Sequence, residues 1–302
     1  MKIALKRGSL ISYSASTTRN DPWGFRVVKN DHSLFKSLIV KYPEIQQQMI
    51  TDKPTLLINC YPAPIPHFEL GISVETYLSK KIAHRALKLA EEVELPTILA
   101  GQPLFLAEII FSYLEKENSF PKKILISTGG YEMPDSLEYV LKEKLSPYSS
   151  YLRILHGYGT AEVALSCLIA TERNKDKHLI YFPRSEEFKI NIHDNKLFLS
   201  YVDSTGKYII ENFNTGDEIF SYENGFIIKN EARFSEKARQ EFSTWTTNDW
   251  ERKTGYLSFD EKTIFQLRKH KQPLHKNEMN YFQFMEKTDF EWLNKPHWGI
   301  PS

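Results

Sequence analysis

The chain has 302 residues, with 39 basic and 38 acidic side chains interspersed to a formal net charge of +1, which excludes the strong electrostatic footprint of a nucleic-acid or anionic-membrane binder. A hydrophobic share of 41% over this length is enough for a substantial core in one large or two smaller domains. The longest apolar stretch, 98–114, is broken by Gln102, Pro103 and Glu108, and the start Met1-Lys2-Ile3-Ala4-Leu5-Lys6-Arg7 is too short and charged for a secretory signal, so neither a membrane span nor export is expected.

In chain order, Ser14-Ala15-Ser16-Thr17-Thr18-Arg19 comes first. Its hydroxyls and guanidinium could donate to phosphate oxygens, or the segment is a Ser/Thr-rich surface turn. Leu56 to Asn59 reads as a buried strand. Three prolines in Cys60-Tyr61-Pro62-Ala63-Pro64-Ile65-Pro66-His67 then stiffen a loop that presents His67 to a ligand or to solvent. Apolar spacing over 74–93, through Ala83, Ala86, Leu87 and Ala90, predicts a helix, and a second is expected over 104–117. Ile124 to Ser127 forms a strand that enters Gly129-Gly130, Asp135 caps a helix through Leu145, and strand Leu152 to His156 enters a turn at Gly157-Tyr158-Gly159-Thr160.

This alternation predicts an α/β fold: a mostly parallel sheet flanked by helices, with ligands gathered at the carboxyl ends of strands and both glycine turns on one edge. From 178 to 229 the pattern changes to short alternating strands, Phe188 to Ile192, Lys196 to Val202 and Gly225 to Ile228, which implies a small antiparallel sheet or barrel. The remaining tail carries Trp245, Trp250, Tyr256, Phe259, Tyr281, Phe282, Phe284, Trp292 and Trp298, too many aromatics for a disordered segment. The expected division is therefore 1–177, 178–231 and 232–302. Cys60 and Cys167 are the only cysteines. They fit a cytoplasmic location and read as small buried hydrophobes.

Three short motifs carry the chemistry: Ser127-Thr128-Gly129-Gly130, His156-Gly157-Tyr158-Gly159-Thr160-Ala161-Glu162 and Asn214-Thr215-Gly216-Asp217. A glycine turn after a strand brings backbone N–H groups close to a ligand. A nucleotide needs donors for its phosphates, a carboxylate for its ribose hydroxyls or magnesium, and a flat wall for its base. Thr160, Glu162, Asp217 and Tyr158 could supply these. Taken singly, each motif is also a common turn.

In their order and spacing the motifs resemble those of the adenylate-forming (acyl-CoA synthetase-like, AMP-binding) superfamily, and within it the phenylacetate-coenzyme A ligase and acyl-protein synthetase branches. Tyr158-Gly159-Thr160-Ala161-Glu162 is similar to the family's Tyr-Gly-x-Thr-Glu with the threonine moved one position, and Thr215-Gly216-Asp217 matches its Thr-Gly-Asp after the strand Lys196 to Val202. Pro96-Thr97 and Gly101-Gln102-Pro103 resemble the segment between the phosphate loop and the nucleotide pocket. Ser14 to Gly24 overlays the phosphate loop with extra residues, Ala15 and Thr18 standing at glycine positions and Trp23 at the lysine position. The likeness runs from about Ser12 to Arg233.

This resemblance implies ATP and magnesium (Mg2+) as cofactors, and attack of a small carboxylic acid on the α-phosphorus with release of pyrophosphate. It assigns magnesium to Glu162, the α-phosphate to Thr160 and the ribose hydroxyls to Asp217. Adenine would lie against Gly129, Gly130 and Tyr131, with Tyr158 on its other face and Gly159 in the same turn. Ser14, Ser16, Thr17 and Thr18 would hold phosphates, Arg233 would approach the ribose, and His67 would shape the carboxylate site. The tail would act as a lid, with Lys269, Lys271 and Lys276 as candidate lid lysines. Coenzyme A, a carrier protein, an amine or a protein cysteine would accept the acyl group. Phe68 and Phe105 favour an apolar or aromatic acid, although core packing explains them equally. The alternative is a non-catalytic or partner-dependent subunit, because the chain starts almost at the phosphate loop and the inner glycines of that loop are replaced.

Overall fold

The computed structural model of the chain describes residues 10–13, 25–28, 41–61, 70–130, 132–133, 135–160, 163–203 and 205–229. Ser14, Ser16, Thr17, Thr18, His67, Tyr131, Glu162, Arg233 and the 232–302 tail lie outside the described residues. The first described elements, β1 (Leu10–Tyr13) and β2 (Phe25–Val28), pair as an antiparallel ribbon. A short helix, α1 (Pro43–Met49), follows with proline in its first turn, where the missing N–H costs nothing.

The large sheet starts with β3 (Thr55–Cys60) and β4 (Gly71–Glu75). Helix α2 (Lys80–Val93), strand β5 (Thr97–Gly101), helix α3 (Pro103–Glu117), strand β6 (Lys123–Thr128), helix α4 (Asp135–Leu145) and strand β7 (Tyr151–Thr160) then alternate. Strands β8 (Ala164–Ala170) and β9 (Phe182–Pro183) complete the order β4-β3-β5-β6-β7-β8-β9. Pairing is parallel from β4 through β7 and antiparallel from β7 to β9. The fold is thus α/β, with a mostly parallel sheet flanked by helices.

Strand side chains alternate between two faces, and each face is covered. Leu56, Ile58, Leu99, Ile124, Ile126 and Ile154 pack against Ala83, Ala86 and Leu87 of α2, Leu106, Ile109 and Ile110 of α3, and Leu137, Val140 and Leu141 of α4. Their neighbours Leu57, Ile98, Leu125 and Leu155 turn the other way, onto Ile45 and Met49 of α1. Burying each such aliphatic side chain contributes about 1.5–3 kcal/mol. Cys60 and Cys167 are both buried free thiols, and burial pushes the Cys60 thiol up to about 12. Among the described residues no helix is long and apolar enough to cross a membrane.

Two sequence expectations change. The helix expected over 74–93 starts only at Lys80. Val74 fits the helical period, yet its backbone pairs with Ile58 of β3. Tyr77 and Leu78 take positive φ angles of 50° and 61°, and the Ser79 hydroxyl accepts the N–H of Ile82 to start the helix. The second change concerns the expected turn at Gly157 to Thr160, which is strand: β7 runs through it and pairs with β8.

Gly159 makes that close pairing possible, because a Cβ there would lie 2.4 Å from the Leu165 carbonyl oxygen and 2.5 Å from that of Ala164. Backbone cannot yield as a side-chain tip does. Gly159→Ala is therefore expected to destabilise the chain by about 1–3 kcal/mol, an overpacking cost. An unchanged midpoint in urea denaturation would show that β8 can move aside.

A second sheet contains β10 (Phe188–His193), β11 (Lys196–Val202), β12 (Tyr208–Tyr222) and β13 (Gly225–Lys229), antiparallel in that order. Asp194 and Asn195 both have positive φ, which suits the tight β10–β11 hairpin. Strand β12 runs for 15 residues and carries Thr215-Gly216-Asp217 within it, opposite β11. Tyr158, Val163 and Cys167 of the first sheet region share one apolar cluster with Phe188, Leu197, Leu199, Ile219 and Ile228 of the second, so the two sheets meet where β7 ends.

Candidate functional site

The carboxyl ends of β3, β5, β6 and β7 bring Cys60, Gly101, Thr128 and His156 into one lateral row of the sheet. Laterally paired residues project from the same face. Beyond the row, Gln102 becomes the N-cap of α3 and Gly129-Gly130 follows β6. Gly130 has a φ of +89°, and a Cβ there would lie 2.9 Å from Tyr61 Oη and 3.0 Å from Gln102 Nε2. Only glycine fits both the conformation and the space.

Four residues at this edge bury polar atoms without a well-aligned hydrogen-bond partner among the described residues: Gln102 Oε1, Thr128 Oγ1, Thr160 Oγ1 and both ring nitrogens of His156, of which Nε2 stands 3.2 Å from Glu138. None of these residues exceeds 7% exposure. An unsatisfied buried polar group costs about 1–3 kcal/mol. Their concentration at the ends of adjacent parallel strands marks a place suited to a polar ligand or ordered water. Thr160 was a sequence candidate. Thr128 and His156 were not given roles, although each is a polar residue closing an apolar run, after Ile124 to Ile126 and after Ile154-Leu155. Gln102 stood only in the proline segment Gly101-Gln102-Pro103.

Tyr158 and Asp217, predicted separately, are brought together. The Tyr158 hydroxyl donates to Asp217 Oδ2 across the two sheets, and both side chains are buried. The Asp217 backbone N–H donates to Thr215 Oγ1 at 3.2 Å, and that hydroxyl donates to the Leu197 carbonyl at 3.0 Å. Gly216, at φ +79°, gives the bulged strand its bend. The Tyr158 ring meets Tyr181 edge to face, with centroids 6.2 Å apart.

Behind His156, toward α4, lies a buried charge cluster. Glu138 accepts from Arg173 Nε at 2.8 Å and Lys142 Nζ at 2.6 Å, and its Oε2 stands 3.2 Å from His156 Nε2. Arg173 also reaches Glu132 at 3.2 Å and the Lys177 carbonyl at 2.8 Å. Burial opposes ionisation of Glu138, but His156, Arg173 and Lys142 outweigh it and hold the carboxyl well below its usual range. Burial holds His156 neutral, below its usual range, against the pull of Glu138. His84, half-buried beside the Ile109 carbonyl of α3, is pushed down to about 4 by partial burial.

These shifts share a sign. Below about pH 6.5 an unfolded histidine takes up a proton that the folded chain refuses, so stability falls with pH. His156 contributes at most about 1.4 kcal/mol per pH unit of that loss. Below the ordinary range of a glutamate, unfolded Glu138 also protonates before folded Glu138 does, which adds to the loss. A urea series from about pH 7 to about pH 4 is expected to show a steady decline that His84→Gln makes shallower. A flat profile would contradict neutral burial of the two histidines.

No family model and no curated protein sequence matches the chain. Among solved structures, it is similar to an AMP-forming acyl-CoA synthetase/AMP-acid ligase II-like protein from Dyadobacter fermentans, at 13% identity and a TM-score of 0.47 over 73% of this chain and 59% of that one. A long-chain-fatty-acid-CoA ligase from Archaeoglobus fulgidus matches at 13% identity and a TM-score of 0.46 over 72% of this chain and 50% of that one. A nonribosomal peptide synthetase in its AMPPNP-bound form matches at 12% identity and 0.48 over 68% of this chain. The chain spans 59%, 50% and 26% of these three proteins.

Proposed function

We propose that the chain binds a nucleotide where its two sheets meet and activates a small carboxylic acid as an acyl-adenylate, for transfer to a thiol or amine. The observation that carries this reading is the buried hydrogen bond from Tyr158 to Asp217, which joins the Tyr-Gly-Thr and Thr-Gly-Asp motifs beside the glycine turn at Gly129-Gly130. A carboxylate accepts several hydrogen bonds, so Asp217 can serve the ribose hydroxyls while holding Tyr158. Thr160 Oγ1 has no partner among the described residues and would donate to the α-phosphate. The Gly129-Gly130 backbone and the Tyr158 ring would bound the base, with Tyr131 beside them.

The acid's carboxylate oxygen would attack the α-phosphorus, forming the acyl–phosphate bond as the bond to the pyrophosphate oxygen breaks. The chain's part is alignment and charge neutralisation. Ser14, Ser16, Thr17 and Thr18 would donate to the departing phosphates, Arg233 would approach the ribose, and His67 would border the acid. No group of three His, Cys, Asp or Glu ligands forms among the described residues. Magnesium would be held by Glu162 and the substrate phosphates, where it would neutralise phosphate charge. The acceptor would be a nucleophile that attacks the acyl carbon and releases AMP, either a thiol of coenzyme A, a carrier or a protein cysteine, or an amine.

Calorimetric titration of the full chain with MgATP and with AMP tests the reading. Saturable one-to-one binding is expected, followed by acid-dependent pyrophosphate exchange. A folded chain that binds neither nucleotide would remove nucleotide chemistry from its function. Ala15 and Thr18, at the glycine positions of the resembling loop, favour a second reading, a non-catalytic or partner-dependent subunit. AMP binding without any exchange would select it.

A further inference from the structure

The edge row of the large sheet carries information about the acid itself, given the nucleotide and carboxylate reading of the same site, on which this inference rests. Thr128 and His156 are direct partners on adjacent parallel strands, project from the same face, and are buried to 3% and 2% exposure. Leu106 fills the space over Gly101 on one side of them, and the small Ala170 pairs with His156 on the other.

The buried valences there are mainly acceptors. His156 Nε2 faces Glu138 Oε2 at 3.2 Å. A carboxylate beside one ring nitrogen favours the proton on that nitrogen, which leaves Nδ1 as an acceptor. Thr128 Oγ1 can accept or donate. Close by, Gln102 reaches over the end of β6 toward Gly130, and its Oε1 is a further acceptor without a partner among the described residues. A plain hydrocarbon acid would leave all three desolvated and unpaired, the situation in which a polar site rejects an apolar analogue most strongly.

We infer that the acid activated here carries a hydroxyl or amino group: a hydroxyl donates to His156 Nδ1 and accepts from Thr128 Oγ1, an amino group donates to both, and Gln102 Oε1 lies within its surroundings, so that the substrate class is a short hydroxy- or amino-substituted carboxylic acid. The phenyl ring of Phe105, by contrast, belongs to the packed core between α3 and the sheet and sets no preference for an aromatic acid.

The test is pyrophosphate exchange by the full chain with matched acids: butanoate against its β-hydroxy and β-amino derivatives, and benzoate against its hydroxy and amino derivatives. At least one donor-bearing member is expected to exceed its parent by about tenfold or more in kcat/KM. The hydroxy and amino arms then identify the donor. Thr128→Val, an isosteric loss of the hydroxyl, and His156→Phe are each expected to erase most of that preference. Should exchange be absent, the same acids are compared by thermal melting and saturation-transfer NMR with AMP and without nucleotide, where the same ranking is expected. Equal or better response to the parent acids, binding of no acid, or a preference untouched by both variants would overturn the inference. Calorimetry with AMP alone reports separately on the nucleotide reading, so the two fail independently.

Discussion

Asp217→Ala is expected to weaken AMP and MgATP binding by about a hundredfold or more. Charge-assisted hydrogen bonds contribute about 1.5–3 kcal/mol each, and a ribose diol offers two donors to one carboxylate. The side chain is 2% exposed, so water cannot readily replace it. The same substitution deletes the acceptor of the Tyr158 hydroxyl and should lower stability by about 1–3 kcal/mol. Two controls separate these effects. Asp217→Asn keeps an acceptor for Tyr158 but removes the charge, and should preserve most of the stability while still losing binding. Tyr158→Phe removes the inter-sheet bond but leaves the carboxylate, and should cost stability more than affinity. Calorimetry paired with urea denaturation reads both. If Asp217→Ala lowers the unfolding midpoint yet leaves nucleotide affinity unchanged, Asp217 is only a joint between the sheets.

Glu138→Gln is expected to destabilise the chain by about 3–5 kcal/mol, the cost of breaking a buried ionic network from one side. Glu138 is 6% exposed and meets Lys142 of its own helix, His156 of β7 and Arg173 in the segment after β8. The amide fills the same space but withdraws the charge that offsets the desolvation of Arg173. Lys142, half exposed, can turn to solvent, whereas Arg173 stays buried with Glu132 as its remaining carboxylate beside the Met133 and Lys177 carbonyls. The Arg173→Met, Glu138→Leu pair replaces both charges with apolar groups of similar length and should recover much of the loss, because an uncompensated charge rather than a missing contact dominates the cost. A Glu138→Gln change below about 1 kcal/mol would show that the cluster is solvated enough to count as a surface network.

Much of the parallel core was legible because its signals are local. Leu56 to Asn59, Ile124 to Ser127 and Leu152 to His156 are apolar runs of strand length, and Ala83, Ala86, Leu87 and Ala90 mark one helix face by spacing alone. Strand β4 was hidden because Val74 satisfies a helical period and only its pairing with Ile58 makes it a strand. Strand β8, an apolar run over Ala164–Ala170, follows glycines that read as a ligand-facing turn, and only its pairing shows it to be the antiparallel partner of β7. Strand β12 alternates weakly because its first half is largely exposed.

The candidate site divides the same way. Tyr158, Thr160, Gly129, Gly130 and Asp217 could be singled out from short motifs, since glycine, a hydroxyl and a carboxylate close together in sequence imply a ligand-facing backbone. That Tyr158 bonds Asp217 could not, because 59 residues separate them and nothing local couples two strands of different sheets. Nor could Gln102, Thr128 and His156 be recognised as polar groups buried without partners. Whether a polar atom is satisfied depends on its surroundings in space, and a sequence records only its neighbours along the chain. Composition, strand and helix periodicity and the three glycine motifs were therefore determined by the sequence itself. Which of those motifs meet, and which polar groups are left facing a shared edge, was decided by the register of β3, β5, β6 and β7 and by the packing of the second sheet against the end of β7.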